Sequence, residues 1–200
     1  MVANDFREWG TKILMPCAER IPLNPMAISL LSLMCAIFAG YFFYLADSEN
    51  KFFLLIGALM VFFTAVFDAL DGIVARIREM SSKRGDLVDH TLDRVSDIAI
   101  VGGIALGPLV DTTIGFAAMI GIIMLSYMGT QAQALGVDRI YEGLLGRADR
   151  LVIMVMIPVI QYFIDEIQGI NWMTLMCYLF AIVCALSACF RFKRVWSELN

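Results

Sequence analysis

Asp68, Asp71, Asp89 and Asp93 stand in the run D-A-L-D-G-I-V-A-R-I-R-E-M-S-S-K-R-G-D-L-V-D-H-T-L-D, with an uncharged apolar stretch before it (Phe52–Phe67) and another after it (Ile98–Val110). An ionisable residue at membrane depth is costly and marks a site more often than scaffold. Four carboxylates of one sign repel unless a positive charge lies among them, and a divalent cation is the natural candidate. An all-oxygen donor set favours Mg²⁺, Mn²⁺ or Ca²⁺ over zinc. Asp68 and Asp71 are three apart and Asp89 and Asp93 four apart, so each pair shares one helix face. Gly85 lies one helical turn before Asp89. An antiparallel pair of helices would bring the four carboxylates together. Gly72 leaves space beside Asp71 for a flat ligand, Ala75 keeps the next turn narrow, and Arg76 one turn beyond Gly72 carries a planar fork suited to phosphate. Metal, arginine and a spare carboxylate equip a protein for displacement at phosphorus, the carboxylate taking the proton of an attacking hydroxyl.

The elements that must position these residues are membrane helices. Of 200 residues, 60% are hydrophobic and 17% charged, the composition of a membrane protein rather than a soluble domain. A spanning helix takes about 20 apolar residues. Six runs qualify or nearly so: Pro25–Ala46, Phe52–Ile73, Val88–Leu109, Thr113–Ala134, Leu151–Ile164 with flanking sequence, and Ile170–Phe190; the fifth is short and contains Pro158. The polar, basic stretch Ile77–Arg84 reads as a turn between the second and third. Pro25 opens the first run, where its missing N–H is tolerated. Gly102 and Gly103 suit close helix contact. Connections are short, which leaves a single domain over 1–200 with the bundle at 25–192.

All but two of the 15 Lys and Arg fall in the N-terminal segment, the second-to-third and fourth-to-fifth connections and the C-terminus; the exceptions are Lys51 and Arg94. The other loops carry Asp47, Glu49, Asp111, Asp165 and Glu166. This asymmetry predicts both termini and the carboxylates on the cytoplasmic side of the cell membrane. Residues 1–22 read as a juxtamembrane segment whose Phe6, Trp9, Ile13 and Leu14 alternate with charge, an amphipathic helix lying in the interface, and no secretory signal peptide precedes Pro25. The fold expected is therefore all-α and integral to the membrane, six transmembrane helices with an N-terminal interfacial helix. The five cysteines lack metal-ligand spacing and read as packing residues. Nothing in the composition points to nucleic acid.

The spacing D-x2-D-G-x2-A-R-x8-G-x3-D-x3-D resembles the signature of the CDP-alcohol phosphotransferases, with Asp68, Asp71, Gly72, Ala75, Arg76, Gly85, Asp89 and Asp93 at all eight fixed positions. The resemblance implies six spanning helices, an interfacial N-terminal helix, frequent dimers, and transfer of a phosphoalcohol from a CDP-linked donor with release of CMP. It implies that Asp68, Asp71 and Asp89 hold one or two divalent ions (Mg²⁺ or Mn²⁺), with Asp93 shared between metal and general base. It places Gly72, Ala75, Arg76 and Gly85 around the cytidine and its phosphates, with Asn24 and Ser29 of N-P-M-A-I-S nearby. L-D-R-V-S-D-I, Ser126-Tyr127 and G-R-A-D-R at Gly146–Arg150 are similar to the branch that makes inositol-phosphate lipids. In that branch a basic pocket holds the acceptor's own phosphate, which makes Arg147 and Arg150, together with Lys83, the acceptor-side residues. Where that branch carries an arginine after the Ser-Tyr pair this chain has Met128-Gly129, so glycerol phosphate competes with inositol phosphate as acceptor. The donor expected is CDP-diacylglycerol or CDP-archaeol.

The remaining charged residues admit plainer roles. His90 points about 100° from Asp89 on a helix and reads as a bystander. Asp97, one turn past Asp93, either orients a ligand or pairs with Arg94. Arg147 and Arg150 stand at the start of a helix, where cations are disfavoured, so a phosphate or Asp149 is expected beside them. A small cation transporter or channel is the alternative function. It accounts for the carboxylates but not for Gly72, Ala75, Arg76 and Gly85 at their intervals.

Overall fold

The computed structural model describes residues 13–137 and 145–199. Residues 13–20 are helical (α1). They are followed by α2 (Pro25–Leu45), α3 (Phe52–Ile77), α4 (Lys83–Leu106), α5 (Thr112–Ala134), α6 (Arg147–Phe163) and α7 (Trp172–Glu198). Between α6 and α7 a two-strand hairpin pairs β1 (Glu166–Ile167) with β2 (Ile170–Asn171), Glu166 opposite Asn171 and Ile167 opposite Ile170. Its two turn residues, Gln168 and Gly169, both have positive φ (53° and 80°), as a type I′ turn requires. Composition alone gave no sign of this hairpin.

Among the described residues α2, α3, α5 and α7 are long and apolar enough to cross a membrane. The protein is thus an all-α membrane protein apart from the hairpin. The 24-residue α4 carries its charges in its first half, and α6 has 17 residues with Pro158 inside. The expected stretch Phe6–Ala18 lies largely outside the described residues; of its apolar set, Ile13 is exposed and Leu14 packs against a buried cluster of Ala18, Ile28, Leu70, Ile73 and Val74.

Helix starts follow local capping. Asn24, Ser82, Asp111 and Asn171 each accept a backbone N–H of the first turn of α2, α4, α5 and α7. The Ser82 cap starts α4 at Lys83, so Lys83 and Arg84 are helical and the connection after α3 shrinks to residues 78–82, shorter than the Ile77–Arg84 turn expected. Glu79 adopts positive φ (55°) in it, and Arg78 donates to the carbonyls of Leu23 (2.8 Å) and Ile21, tying this turn to the start of α2. At the opposite end Asp47 accepts from the backbone N–H groups of Glu49 and Asn50 (2.8 and 2.6 Å), and the Asn50 contacts hold its carboxyl below the usual carboxylate range. Lys51 there forms an ion pair with Asp165.

Packing pairs α2 with α3 and with α4, α5 with α7, α3 with α6 and α4 with α5. The α2–α4 crossing is backbone to backbone. A Cβ on Gly40 would collide with the Ala99 carbonyl, and one on Gly103 with the Gly40 backbone; Gly102 faces open space, so of the two glycines only Gly103 makes the close contact. The core is a continuous buried cluster including Phe43, Leu54, Val61, Ile100, Ile122, Leu125, Met154 and Phe180. The outward faces are apolar as well: Leu30, Phe38, Phe62, Ile120, Ile182 and Leu186 are all exposed. An exposed apolar surface of this extent suits lipid rather than water. Because α3 and α4 do not pack along one another, α2 carries both and a space remains between their facing ends.

Candidate active site

Asp68 and Asp71 approach this space from the last turns of α3, Asp89 and Asp93 from the first turns of α4. The four carboxylates therefore meet across a gap between two consecutive helices, which brings the two pairs together as expected although α3 and α4 make few direct contacts. Asp68, Asp71 and Asp89 each present a carboxylate oxygen, all within 4.8 Å of one another. Three hard oxygen donors at that spacing fit Mg²⁺ or Mn²⁺. Asp89, His90 and Asp93 form a second group by the same measure. His90 is thus beside the carboxylates: its Nε2 lies 3.5 Å from Asp86 and its Nδ1 3.8 Å from Asp89, and neither nitrogen has a hydrogen bond.

Asp71 is the most buried of the four, 7% exposed. Ser29 Oγ of α2 donates to its Oδ2 at 2.5 Å. That bond joins two elements 42 residues apart and anchors a motif carboxylate to α2. Asn24, the other residue expected near the nucleotide, accepts from Met26 N–H at 3.2 Å as the cap of α2. Gly72 is open: a Cβ there would meet only Arg76 Nη1, at 3.5 Å. Arg76 therefore folds back over Gly72 while its side chain stays exposed. Ala75 is half-buried on the same turn, and Gly85 donates its N–H to Ser82 Oγ at 3.1 Å. Lys83 is exposed at the start of α4.

The basic side of the gap comes from α6. Arg147 Nη1 lies 2.7 Å from Asp68 Oδ2 and 2.7 Å from Asp93 Oδ1. These anions offset the unfavourable placement of a cation at a helix N-terminus. Asp149 does not serve that purpose, since its carboxylate accepts the Gly146 N–H at 2.8 Å. Arg150 is interior, 2% exposed, with Nη2 on Asp97 Oδ2 at 3.1 Å and on Ser126 Oγ at 3.3 Å. Asp97 thus pairs with Arg150 and not with Arg94. Arg191 of α7 donates to the Leu125 carbonyl at 3.1 Å on the same side. Arg139 lies outside the described residues.

A carboxylate cluster facing a guanidinium, with an arginine over a bare glycine, can bind a pyrophosphate and move a proton at its edge. The chain is similar to several known proteins. The archaetidylinositol phosphate synthase of Methanothermobacter thermautotrophicus is 34% identical over 153 residues, 76% of this chain and 74% of that one. In fold the chain is similar to the crystal structure of Mycobacterium tuberculosis phosphatidylinositol phosphate synthase with CDP-DAG bound (TM-score 0.75, 24% identity, 93% of this chain and 94% of that one). It is equally similar to the same enzyme in complex with manganese and citrate (TM-score 0.75, 24% identity, 91% and 88%). The CDP-alcohol phosphatidyltransferase family model matches residues 23–189, a span that holds every motif residue named above, and the chain is therefore an enzyme of that family rather than a cation transporter.

Proposed function

We propose that this enzyme transfers a diacylglycerol- or archaeol-phosphate group from a CDP-lipid to a phosphorylated polar alcohol and releases CMP in phospholipid biosynthesis. The convergence of Asp68, Asp71, Asp89 and Asp93 on one gap, faced by Arg147, is the observation that carries this reading. Inositol phosphate is favoured over glycerol phosphate as acceptor, because the similar archaeal protein is named for that product.

Asp68, Asp71 and Asp89 would hold Mg²⁺ or Mn²⁺, with Asp93 at the edge of the set. A divalent ion there supplies charge neutralisation for the pyrophosphate and its leaving group. Arg76 adds a planar donor fork for the phosphates, and Gly72, Ala75 and Gly85 leave room for the cytidine. Asn24 and Ser29 act from the start of α2, Ser29 through its bond to Asp71. Asp93 accepts the proton of the acceptor hydroxyl. The oxygen then bonds to the lipid-side phosphorus as the bond to the CMP oxygen breaks. Arg147, Arg150 and Lys83 form the acceptor side. Arg147 is the nearest to the carboxylates, and Arg150 contributes from the interior through Asp97 and Ser126.

The whole of 1–200 is one membrane domain, with 25–192 as a six-span bundle in which α4 and α6 also cross. Residues 13–22 lie along the cytoplasmic interface, the gap faces the cytoplasm, lipid tails enter between helices from the bilayer, and the enzyme works as a homodimer. The deciding experiment is CMP release by purified protein in detergent with Mg²⁺ and CDP-diacylglycerol or CDP-archaeol, offered inositol phosphate, glycerol phosphate, inositol and serine in parallel. Release with inositol phosphate alone is expected. Release with unphosphorylated inositol or serine instead would overturn the phosphorylated-acceptor assignment.

A further inference from the structure

Behind the motif carboxylates lies a second charged layer. Asp97 follows Asp93 by one turn of α4 and is 1% exposed. One of its oxygens, Oδ2, is committed to Arg150. The other, Oδ1, is buried and accepts no hydrogen bond. Facing that oxygen at 3.8 Å is Arg147 Nε, itself buried and without a hydrogen-bond partner. Buried polar atoms are nearly always hydrogen-bonded, and each exception asks for an explanation. Here a donor and an acceptor face one another just beyond hydrogen-bond range. Arg147 meanwhile extends Nη1 to Asp68 and Asp93. Asp68 therefore belongs both to the three-carboxylate oxygen set and to Arg147.

A bound cation competes with Arg147 for that carboxylate. A guanidinium does not lose its proton, and beside a divalent ion on the same carboxylate it meets a like charge in a partly buried site. The nearest anion with an open acceptor is Asp97. We infer that Asp97 is a positioning residue for Arg147: when Asp68 and Asp93 turn to a divalent ion, Arg147 gives up its Nη1 contacts and closes Nε onto Asp97 Oδ1. The Nη groups are then free to meet the acceptor's phosphate, and Ser126 and Arg150 hold Asp97 in place for the exchange. The inference rests on the metal-dependent reading above, because only metal on Asp68 sets a second cation against Arg147.

The test is Mn²⁺ affinity measured by electron paramagnetic resonance on the full chain in detergent, without substrates. Four proteins are compared: wild type, Asp97→Asn, Arg147→Gln and the double variant. Asp97→Asn is expected to weaken Mn²⁺ binding by about tenfold, the low end of the usual loss when a residue supporting a metal site is changed. In the Arg147→Gln background the same substitution leaves the affinity unchanged, because no guanidinium competes for Asp68. Equal losses in both backgrounds would mean that Asp97 acts through the fold alone and would overturn the inference, as would no loss in either. Because Asp97→Asn strips Arg150 of its counter-charge, a structure of the wild type with Mn²⁺ gives an independent readout. Arg147 Nε within hydrogen-bond distance of Asp97 supports the exchange, and Nη1 still bridging Asp68 and Asp93 refutes it. A wild type that binds no Mn²⁺ would overturn the metal-dependent reading and this inference with it; Mn²⁺ binding without the Arg147-dependent difference would overturn the inference alone.

Discussion

Ser29 Oγ has a choice of acceptors, the Pro25 carbonyl at 3.1 Å and Asp71 Oδ2 at 2.5 Å. One hydroxyl carries one proton, and the charge-assisted bond to the carboxylate is the stronger. Ser29→Ala removes that donor from the most buried motif carboxylate while leaving α2 capped by Asn24. The expected result is a metal affinity lower by about 10-fold, read in a Mg²⁺ titration of activity, with stability reduced by only about 1 kcal/mol. An unchanged titration would detach Ser29 from the metal set. Asp93 makes the complementary case. Its carboxylate sits at the edge of the oxygen set, against Arg147 at 2.7 Å. Asp93→Asn keeps the shape and removes the base, so turnover should fall by about 10²–10⁴-fold while CDP-lipid binding survives. Isothermal titration with the CDP-lipid separates the roles: donor binding lost together with turnover would make Asp93 chiefly a metal ligand.

The helices reach these positions through one very close crossing. With Gly40 of α2 against Ala99 and Gly103 of α4, any Cβ must push the two backbones apart. Gly40→Val and Gly103→Val are expected to abolish a monodisperse folded protein in detergent, whereas Gly102→Ala, facing open space inside α4, leaves stability unchanged or raises it by up to about 1 kcal/mol. Size-exclusion profiles and thermal melts check both. Much at this scale was legible in the sequence because it is local. The apolar runs located α2, α3 and α5 closely and α7 by its start, its basic C-terminal turns to Glu198 lying beyond the expected Phe190, and the eight-residue motif named the carboxylates that meet. The start of α4 was missed by five residues because its first turns carry the charges of the site and do not read as a span. The hairpin escaped because two-residue strands have no period to detect. What the sequence could not show is pairing at a distance. The bonds Ser29–Asp71 and Asp97–Arg150 join residues 42 and 53 positions apart, and Asp97 had an equally good local partner in Arg94 until the fold brought Arg150 of α6 to it.

At the scale of the whole molecule the charge distribution makes a statement that a detergent assay cannot reach. The residues 46–51, 107–111 and 164–171 connect helices at one end of the bundle, tied by the Lys51–Asp165 ion pair. The turn 78–82, Arg147 and the carboxylate gap lie at the other end, with most of the other described basic residues. If α4 and α6 cross the membrane along with the four strongly apolar helices, every connection at the Lys51 end faces away from the cytoplasm and every one at the gap faces it. Single cysteines read this directly. Cys17 and Cys189 are exposed and would be replaced first, while Cys177 and Cys184 are buried and stay. In intact cells a membrane-impermeant maleimide should label cysteines placed at Ser48 and Gln168 and spare one at Ser81. Labelling of Ser81 along with Ser48 would mean that α3 does not cross, and the gap would then lack the cytoplasmic access that a supply of CDP-lipid and soluble phosphorylated alcohol demands. Protection of Gln168 with Ser48 labelled would place the hairpin on the cytoplasmic side and break the six-span arrangement at α4 to α6. The Lys51–Asp165 pair argues against that second outcome, because two loops joined by a side-chain ion pair must share one face of the membrane.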